Sequence, residues 1–415
     1  MSAPLTDISC TEHSESAISG RFVHTHALQV ALASSECRAS HTGEMWSEAM
    51  LLGLGGGLSA GSLIWNFHAY NAAVLTLGFH HCWNEPERWY RNVLRRIGAE
   101  GIWRQASGHR RADRALESAI RHGHNALCWV DEHHLPYLHV NAAFDGCFGW
   151  VATVTAIKDE QVKINEVWGQ PMRVDTTQFQ QGRRRNADHR HRLLFIANTM
   201  QAPQLHVAIR EAISDHVTHL SSNSNSIGLG ALRSWARTMV DNRSRRGWGR
   251  LFVDGKQLAS VFRSMYEGIV ARGMDGAGLR CLYADFLRES AAVTDDATLI
   301  EAATLYDNCA ARWTDLALTP FLQGGQFGID PTPMTAYLAA MHDRFEALKT
   351  GDTRRIEHCS EALNGLNSQL DATPPWTPSQ QALLLASLSE RVQALWLMER
   401  RALSKLRQWL DSTQT

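Results

Sequence analysis

The sequence lacks an excess of charge of either sign and any long apolar run. Among its 415 residues, 41 Lys and Arg stand against 42 Asp and Glu, so no global field draws the chain to nucleic acid or to an anionic membrane. No apolar run reaches the ~18 residues of a transmembrane helix. Residues 1–20 also lack the basic and apolar regions of a signal peptide. These absences predict a cytoplasmic protein that binds neither membrane nor nucleic acid.

Motifs for metals and redox cofactors are missing as well. The eight cysteines form no CxxC pair, so a zinc ribbon or a thioredoxin-type site is not supported. The twenty histidines include several close pairs but no HExxH, whereas a metal site needs three or four converging ligands with supporting groups around them. We therefore expect no metal, no cofactor, and cysteines that are mostly reduced and buried.

Hydrophobic residues make up 44% of the sequence, which is enough to build a large core. The chain has two regions with different patterns. Up to about residue 185, short helices alternate with strand-like runs such as NALCWVD (125–131), and residues 150–169 predict a β-hairpin around Lys158–Glu160. Beyond about residue 192 the pattern is almost all helical. We predict an α+β protein with four parts: a disordered tail (1–20), an α+β domain (21–195), a helical domain (196–373) and a long C-terminal helix (379–411).

The long C-terminal helix leaves the oligomeric state open. Its Leu-, Ala- and Arg-rich pattern suits packing on its own domain, and it equally suits pairing with a second copy of the chain. A homodimer is one of the two arrangements that the sequence permits.

A glycine-rich stretch, SEAMLLGLGGGLSAG, occupies residues 47–61. A phosphate-binding loop of the GxxxxGK[ST] type needs a lysine, and this stretch has no basic residue. A dinucleotide-binding loop follows a strand, whereas the residues before Gly53 read as a helix. The stretch therefore predicts a helix end with positive φ, followed by a backbone crossing too tight for a Cβ atom.

The order of several elements resembles one known family. FVHTHALQVAL, SEAMLLGLGGG, an amphipathic helix ending RRIG, a strand ending VDEHHLPY and the hairpin are similar to the N-terminal domain of the butirosin biosynthesis protein H family. IGLGALRSWARTM (227–239) and GMDGAGLRCLYADFLRES (273–290) resemble the helical C-terminal domain found with it. The resemblance implies a papain-like cysteine-peptidase fold and an acyltransferase of natural-product biosynthesis. Such an enzyme would move an acyl group from an acyl-carrier-protein thioester to a small-molecule amine.

The chain departs from that family at the nucleophile. The family pattern is His-Cys at the start of a helix, where the helix dipole and a histidine lower the pKa of the thiol; here the pair reads His24-Thr25. No histidine lies near residue 149, where the family's catalytic histidine is expected. The acid on the next strand corresponds to Asn165 or Glu166.

Three interpretations stay open at this point. Thr25 is the nucleophile, activated by a histidine from elsewhere such as His134 or His139. Alternatively, the amine attacks the thioester directly while a histidine removes its proton and backbone N–H groups hold the oxyanion. In the third interpretation the site is degenerate, and the chain is a binding or scaffold partner in the pathway.

The predicted site residues follow from these interpretations and from the resemblance. The predicted catalytic residues are His24, Thr25, Glu48, His134 and His139. The predicted substrate-binding residues are four glycines that allow close backbone approach and two residues after a buried strand: Gly53, Gly55, Gly56, Gly57, Asp131 and Tyr137.

An arginine-rich run, RRRNADHRHR, occupies residues 183–192. Most charge runs form a solvated helix face. The functional interpretation is a docking surface for an acidic acyl carrier protein, whose phosphopantetheine arm carries the acyl donor, because arginine pairs bidentately with carboxylates and phosphates. The predicted docking residues are Arg183, Arg184, Arg185, Arg190 and Arg192.

Overall fold

The structure, a computed structural model, describes residues 8–9, 19–67, 72–186, 189–222, 224–271 and 277–412. The chain divides into two compact units. The first comprises Met1–Glu48, Leu94–Leu205 and Arg344–Ser360, and the second comprises Ala49–Val93, His206–Asp343 and Glu361–Thr415. Most of the predicted disordered tail lies outside the described residues.

The elements are numbered in chain order. They are β1 (Ile8–Ser9), α1 (Val23–Ala33), α2 (Glu48–Leu54), β2 (Ser62–Phe67), β3 (Ala72–Leu77), α3 (Pro86–Ile97), β4 (Ala99–Arg104), α4 (His109–Arg121), β5 (Ala126–Asp131), β6 (Gly149–Lys158), β7 (Gln161–Asn165), β8 (Pro171–Asp175), α5 (Thr176–Arg185), β9 (Leu193–Thr199), α6 (Leu205–Leu220), α7 (Leu229–Val240), α8 (Trp248–Leu251), α9 (Leu258–Tyr266), α10 (Arg280–Thr294), α11 (Thr298–Leu322), α12 (Thr332–Thr350), α13 (Thr353–Ala372) and α14 (Pro378–Ser412).

The first unit is built on an antiparallel sheet. Within the described residues its strands run in the order β4-β9-β5-β6-β7-β8, and β1, from the predicted tail, pairs with β6. The predicted hairpin is confirmed as β6 and β7. Asp159 and Glu160 in its turn have φ values of 51° and 58°, as a two-residue turn that matches strand twist requires. Helices α1 and α5 pack on β5, and α1 and α4 pack on β6.

The second unit is mainly helical. Helix α14 packs along α7 and α11, α11 packs along α10, and α9 packs on β3 of the small β2–β3 hairpin. The long C-terminal helix is therefore confirmed, and it packs within its own unit. The α+β class, with strands concentrated early and helices late, is confirmed too; the papain-like fold stays a prediction.

One expectation about the elements was wrong. The almost wholly helical region was expected to begin at about residue 192, but Leu193–Thr199 forms β9 between β4 and β5. The run LLFIANT is short and largely apolar, and periodicity alone does not separate a buried strand from a helix segment in such a run. The two neighbouring strands, which supply its backbone hydrogen bonds, decide the outcome.

The sequence predicts that no helix spans a membrane. Within the described residues, no helix combines the length and the apolarity needed to cross a bilayer.

The core of the second unit contains a buried charge. The guanidinium of Arg280, fully buried, donates through Nε to Glu399 Oε1 at 2.7 Å, through Nη1 to Gly278 O at 2.7 Å and through Nη2 to Ser59 O at 3.1 Å. Its Cζ lies 5.0 Å from the ring centroids of both Phe79 and Trp313. This one side chain joins α10, α14 and the segment after α2.

We expect Arg280→Met to lower the free energy of unfolding by about 3–5 kcal/mol, because it leaves Glu399 charged and buried without its partner. Arg288→Met, on the same helix, is the matched control: Arg288 is 44% exposed and pairs with Asp285 at the surface, so its loss should cost less than about 1 kcal/mol. Urea denaturation of the two variants checks this. Equal stability losses would contradict it.

Candidate functional site

The candidate site lies at the start of α1 in the first unit. Phe22 is the residue that caps this helix, and it supplies no side-chain hydrogen bond to it. The carboxylate of Glu48 takes over part of that role: it accepts from the backbone N–H of Arg21 at 2.8 Å and of Phe22 at 3.2 Å. An acidic group at the positive end of a helix is also stabilised by the helix dipole.

Thr25 lies in the first turn of α1 and is fully buried. Its hydroxyl donates to Glu48 Oε2 at 2.6 Å. The carbonyl oxygen of Phe22 is a second acceptor within reach, 3.0 Å from Thr25 Oγ1. No histidine is hydrogen-bonded to this hydroxyl within the described residues. The structure therefore joins the predicted residues Thr25 and Glu48 in one hydrogen bond at the helix start, without a histidine.

The neighbouring His24 contacts the ring of Phe22, with centroids 5.2 Å apart. Burial, with a smaller contribution from His189, lowers the pKa of His24 to about 4. The imidazole is therefore neutral near neutral pH. It provides no positive charge that would activate a neighbouring hydroxyl.

The histidine on the other side of Thr25 has a different environment. His26 is 3% exposed, and its Nε2 lies 3.0 Å from Asn165 Oδ1 at the end of β7. Because an amide oxygen only accepts, Nε2 carries the proton, and in the neutral ring Nδ1 keeps a lone pair. Nδ1 is buried and has no hydrogen-bond partner in the described part of the chain. Gly20 lies against it: a Cβ there would come within 2.6 Å of Nδ1.

Next to Asn165, a carboxyl group is buried among aromatic rings. Glu166 Oε1 accepts from the Tyr137 hydroxyl at 2.5 Å and from Trp150 Nε1 at 3.1 Å. The rings of Trp150 and Trp168 are stacked, with centroids 5.7 Å apart. Burial raises the pKa of Glu166 to about 7, against the lowering effect of these donors. The predicted residue Tyr137 thus lies in this buried cluster, and its own pKa is raised by burial and by Glu166.

The predicted residues His134 and Asp131 lie in another cluster of the first unit. Asp131, His134 and Asp145 each offer a ligand atom within 4.8 Å of the other two. However, Asp145 already accepts from Arg185 Nε at 2.9 Å and from Arg185 Nη2 at 2.7 Å, and its Oδ1 lies 3.2 Å from His134 Nε2, so the carboxylate is already paired. His139 ends the turn Pro136–Leu138 with a left-handed backbone, φ 47°.

The predicted docking arginines have unequal exposure. Arg183 is fully buried, pairs with Asp113 at 3.6 Å and donates to the carbonyl oxygen of His191 at 3.3 Å, so it presents nothing to a docked protein. Arg184 and Arg192 are half-buried, whereas Arg185 and Arg190 are exposed.

The four glycines of the glycine stretch belong to the second unit; Gly53 lies in α2, and Gly55, Gly56 and Gly57 follow its end at Leu54. Gly56 has φ 108° and Gly57 has φ 70°, which other residues rarely adopt. A Cβ on Gly56 would lie 1.8 Å from His81 Nδ1, and one on Gly57 would lie 2.6 Å from a ring carbon of Tyr283. Gly53 and Gly55 are as closely covered, by Phe286 and Trp89. The predicted helix end and tight backbone crossing are confirmed.

The same stretch reads GLSAG around Ser59, whose Oγ lies 2.8 Å from His219 Nε2. Burial lowers the pKa of His219 to about 4, so the ring can act as a neutral acceptor. Ser59 itself is fully buried, and a covered hydroxyl does not reach a substrate. The pair fastens the glycine stretch to α6.

Sequence reasoning left His26 out of the predicted catalytic set. Asn165 was named only as one of two residues at the position of the family's acid. A signal existed in the order HTH, since His26 directly follows Thr25, the residue predicted as nucleophile. The sequence could not show that the two side chains are close in space. They lie 139 positions apart in the chain, and only the packing of α1 on the sheet brings them together.

The buried carboxyl group generates a pH prediction. The unfolded chain releases the proton of Glu166 near pH 4.5 and the folded chain near pH 7, so stability falls as pH rises through this window and is constant above it. We expect wild type to lose about 3 kcal/mol relative to Glu166→Gln between pH 4.5 and 7. Urea denaturation across this range measures it, with Glu160→Gln in the exposed turn as control. Parallel pH profiles for wild type and Glu166→Gln would contradict the assignment.

Comparison with known families finds two matching regions. Residues 34–163 match the family described as Butirosin biosynthesis protein H, N-terminal, and residues 179–326 match a Domain of unknown function, DUF4872. No curated protein matches the chain. The first match includes Glu48 and the glycine stretch, but it begins after His26 and ends before Asn165. The chain therefore carries an N-terminal domain of the butirosin biosynthesis protein H family, as SEAMLLGLGGG predicted, followed by that domain of unknown function.

Proposed function

We propose that this protein acts in antibiotic biosynthesis and transfers an acyl group from a carrier-protein thioester to an amine without a covalent acyl-enzyme. The family match supports the pathway. The observation that carries the reaction type is His26, an imidazole held by Asn165 through Nε2 with an unpartnered Nδ1. A papain-like arrangement of α1 and the sheet is part of the same proposal.

In this reaction the lone pair of a neutral amine attacks the thioester carbonyl carbon. The C–N bond forms, the C–S bond breaks, and the thiolate of the carrier leaves. His26 Nδ1 accepts the proton that the amine nitrogen loses, and the thiolate is protonated in turn. Asn165 acts as a positioning residue, because its amide oxygen fixes the ring and keeps the proton on Nε2. Gly20 covers Nδ1 in this structure, so the proposed reaction requires the segment at Gly20 to move away and let the amine reach the ring.

The environment of Thr25 favours direct transfer, because the threonine is not an accessible nucleophile. Its hydroxyl is fully buried and committed to Glu48, and a hydroxyl is a weak nucleophile unless a base withdraws its proton. The same observation favours a second candidate function: a protein that keeps the fold and binds a pathway partner without chemistry. Activity measurements separate the two.

We expect the purified protein to release the acyl group from a loaded carrier in the presence of a matched amine, as followed by mass spectrometry of the carrier. His26→Gln should slow this transfer by about 10²–10⁴-fold, the usual contribution of a general base. Thr25→Ala should retain most of it. His122→Gln, at the exposed end of α4, controls for histidine loss, and thermal melts check folding of every variant.

Two other outcomes would overturn the direct route. Transfer that vanishes in Thr25→Ala but survives in His26→Gln would indicate a covalent intermediate on the threonine. Absence of transfer with every matched carrier and amine, together with binding of the carrier, would indicate the non-catalytic partner.

A further inference from the structure

A basic pocket lies in the second unit, between α7 and α14. Its volume is about 510 Å³. Arg233 and Arg237 contribute from one turn of α7, and Arg400 and Arg407 contribute from α14. We call this cavity, defined by its four arginines, the arginine pocket. Its lining contains no Asp or Glu.

The four arginines of the pocket are exposed residues. In the part of the chain that the structure describes, none of the four pairs with a carboxylate. Their contacts are of another kind: Arg237 Nε donates to the carbonyl oxygen of Arg233 at 3.3 Å, and Arg407 donates to the Ser221 hydroxyl. Four cations that share one cavity repel one another. An anion bound there would reduce this repulsion and be attracted by all four guanidinium groups.

An indole ring orders two of these arginines. Arg233 Cζ lies 5.0 Å and Arg400 Cζ lies 4.6 Å from the ring centroid of Trp396. Such cation–π contacts restrict the long side chains before any ligand arrives. A planar guanidinium held in place offers paired N–H donors that match the spacing of phosphate oxygens.

We propose that the arginine pocket binds a phosphate ester. The Ser404 hydroxyl in its lining adds a neutral donor for a phosphate oxygen. The Ser221 hydroxyl does not, because it donates to the carbonyl oxygen of Val217. The ligand is a compact phosphate rather than a nucleic-acid backbone, because the cavity is a single pocket and the chain has a formal net charge of −1.

Two sources share this chemistry. One is a free phosphate ester. The other is the phosphate of a phosphopantetheine arm on a carrier protein, and this second source rests on the proposed function. The binding site itself does not rest on it, because occupancy of the pocket is measured without any acyl transfer.

The test is calorimetric titration of the full chain with coenzyme A, which carries phosphate esters, and with pantetheine, which has the same arm without phosphate. We expect coenzyme A to bind, more weakly at high salt, and pantetheine to bind at least tenfold less tightly. Arg233→Ala and Arg400→Ala should each weaken coenzyme A binding by about tenfold. Arg401→Ala is the matched control: it is the next residue on α14 and lines a different cavity, beside Asp315.

The result that would overturn the proposal is coenzyme A binding unchanged in both Arg233→Ala and Arg400→Ala, in variants whose thermal melts match wild type. Equal affinity for pantetheine, or tighter binding of a single-stranded oligonucleotide than of coenzyme A, would overturn it as well. Titration with a carrier protein with and without its phosphopantetheine arm then distinguishes the two sources. If coenzyme A binds as expected while no acyl transfer occurs, the proposed function fails and the phosphate site stands.

Discussion

A charged or strongly polar group removed from water must find partners inside the protein, and this constraint organises both units. In the second unit Arg280 is the clearest case: its donors reach Glu399 on α14 and the carbonyl oxygens of Gly278 and Ser59. Burying this guanidinium without them would cost several kcal/mol. The glycine stretch, α10 and α14 are therefore held by one side chain. The rings around the glycines pack closely because a glycine has no Cβ atom.

The first unit obeys the same constraint at the start of α1. Glu48 accepts from the backbone of Arg21 and Phe22 and from the hydroxyl of Thr25, so these polar groups satisfy one another. Chemistry needs a group that is not satisfied in this way. In the proposed direct transfer that group is Nδ1 of His26, which has no hydrogen-bond partner within the described residues.

Charge patterns show the same distinction between paired and unpaired groups. The arginine run at 183–192 is conspicuous in the sequence, yet Arg183 is buried on Asp113 and Arg185 is bound to Asp145. The arginines of the arginine pocket lie on α7 and α14, two helices far apart in the chain. No single arginine-rich run in the sequence contains all four of them. An arginine side chain can bind an anionic ligand when no carboxylate of the protein is already paired with it. Which arginines meet this condition depends on how the helices and strands pack.

The sequence alone determined the α+β class, the β6–β7 hairpin, the late helices and the tight crossing at Gly56 and Gly57, because each follows from local periodicity or backbone sterics. It also identified the N-terminal domain matched over residues 34–163, through SEAMLLGLGGG. It did not reveal β9, whose apolar run is ambiguous without its neighbouring strands. Only the tertiary structure joined His26 to Asn165 and committed Thr25 to Glu48. Such hydrogen bonds link residues far apart in the chain, and whether a polar side chain is satisfied depends on what packing brings within about 3 Å of it.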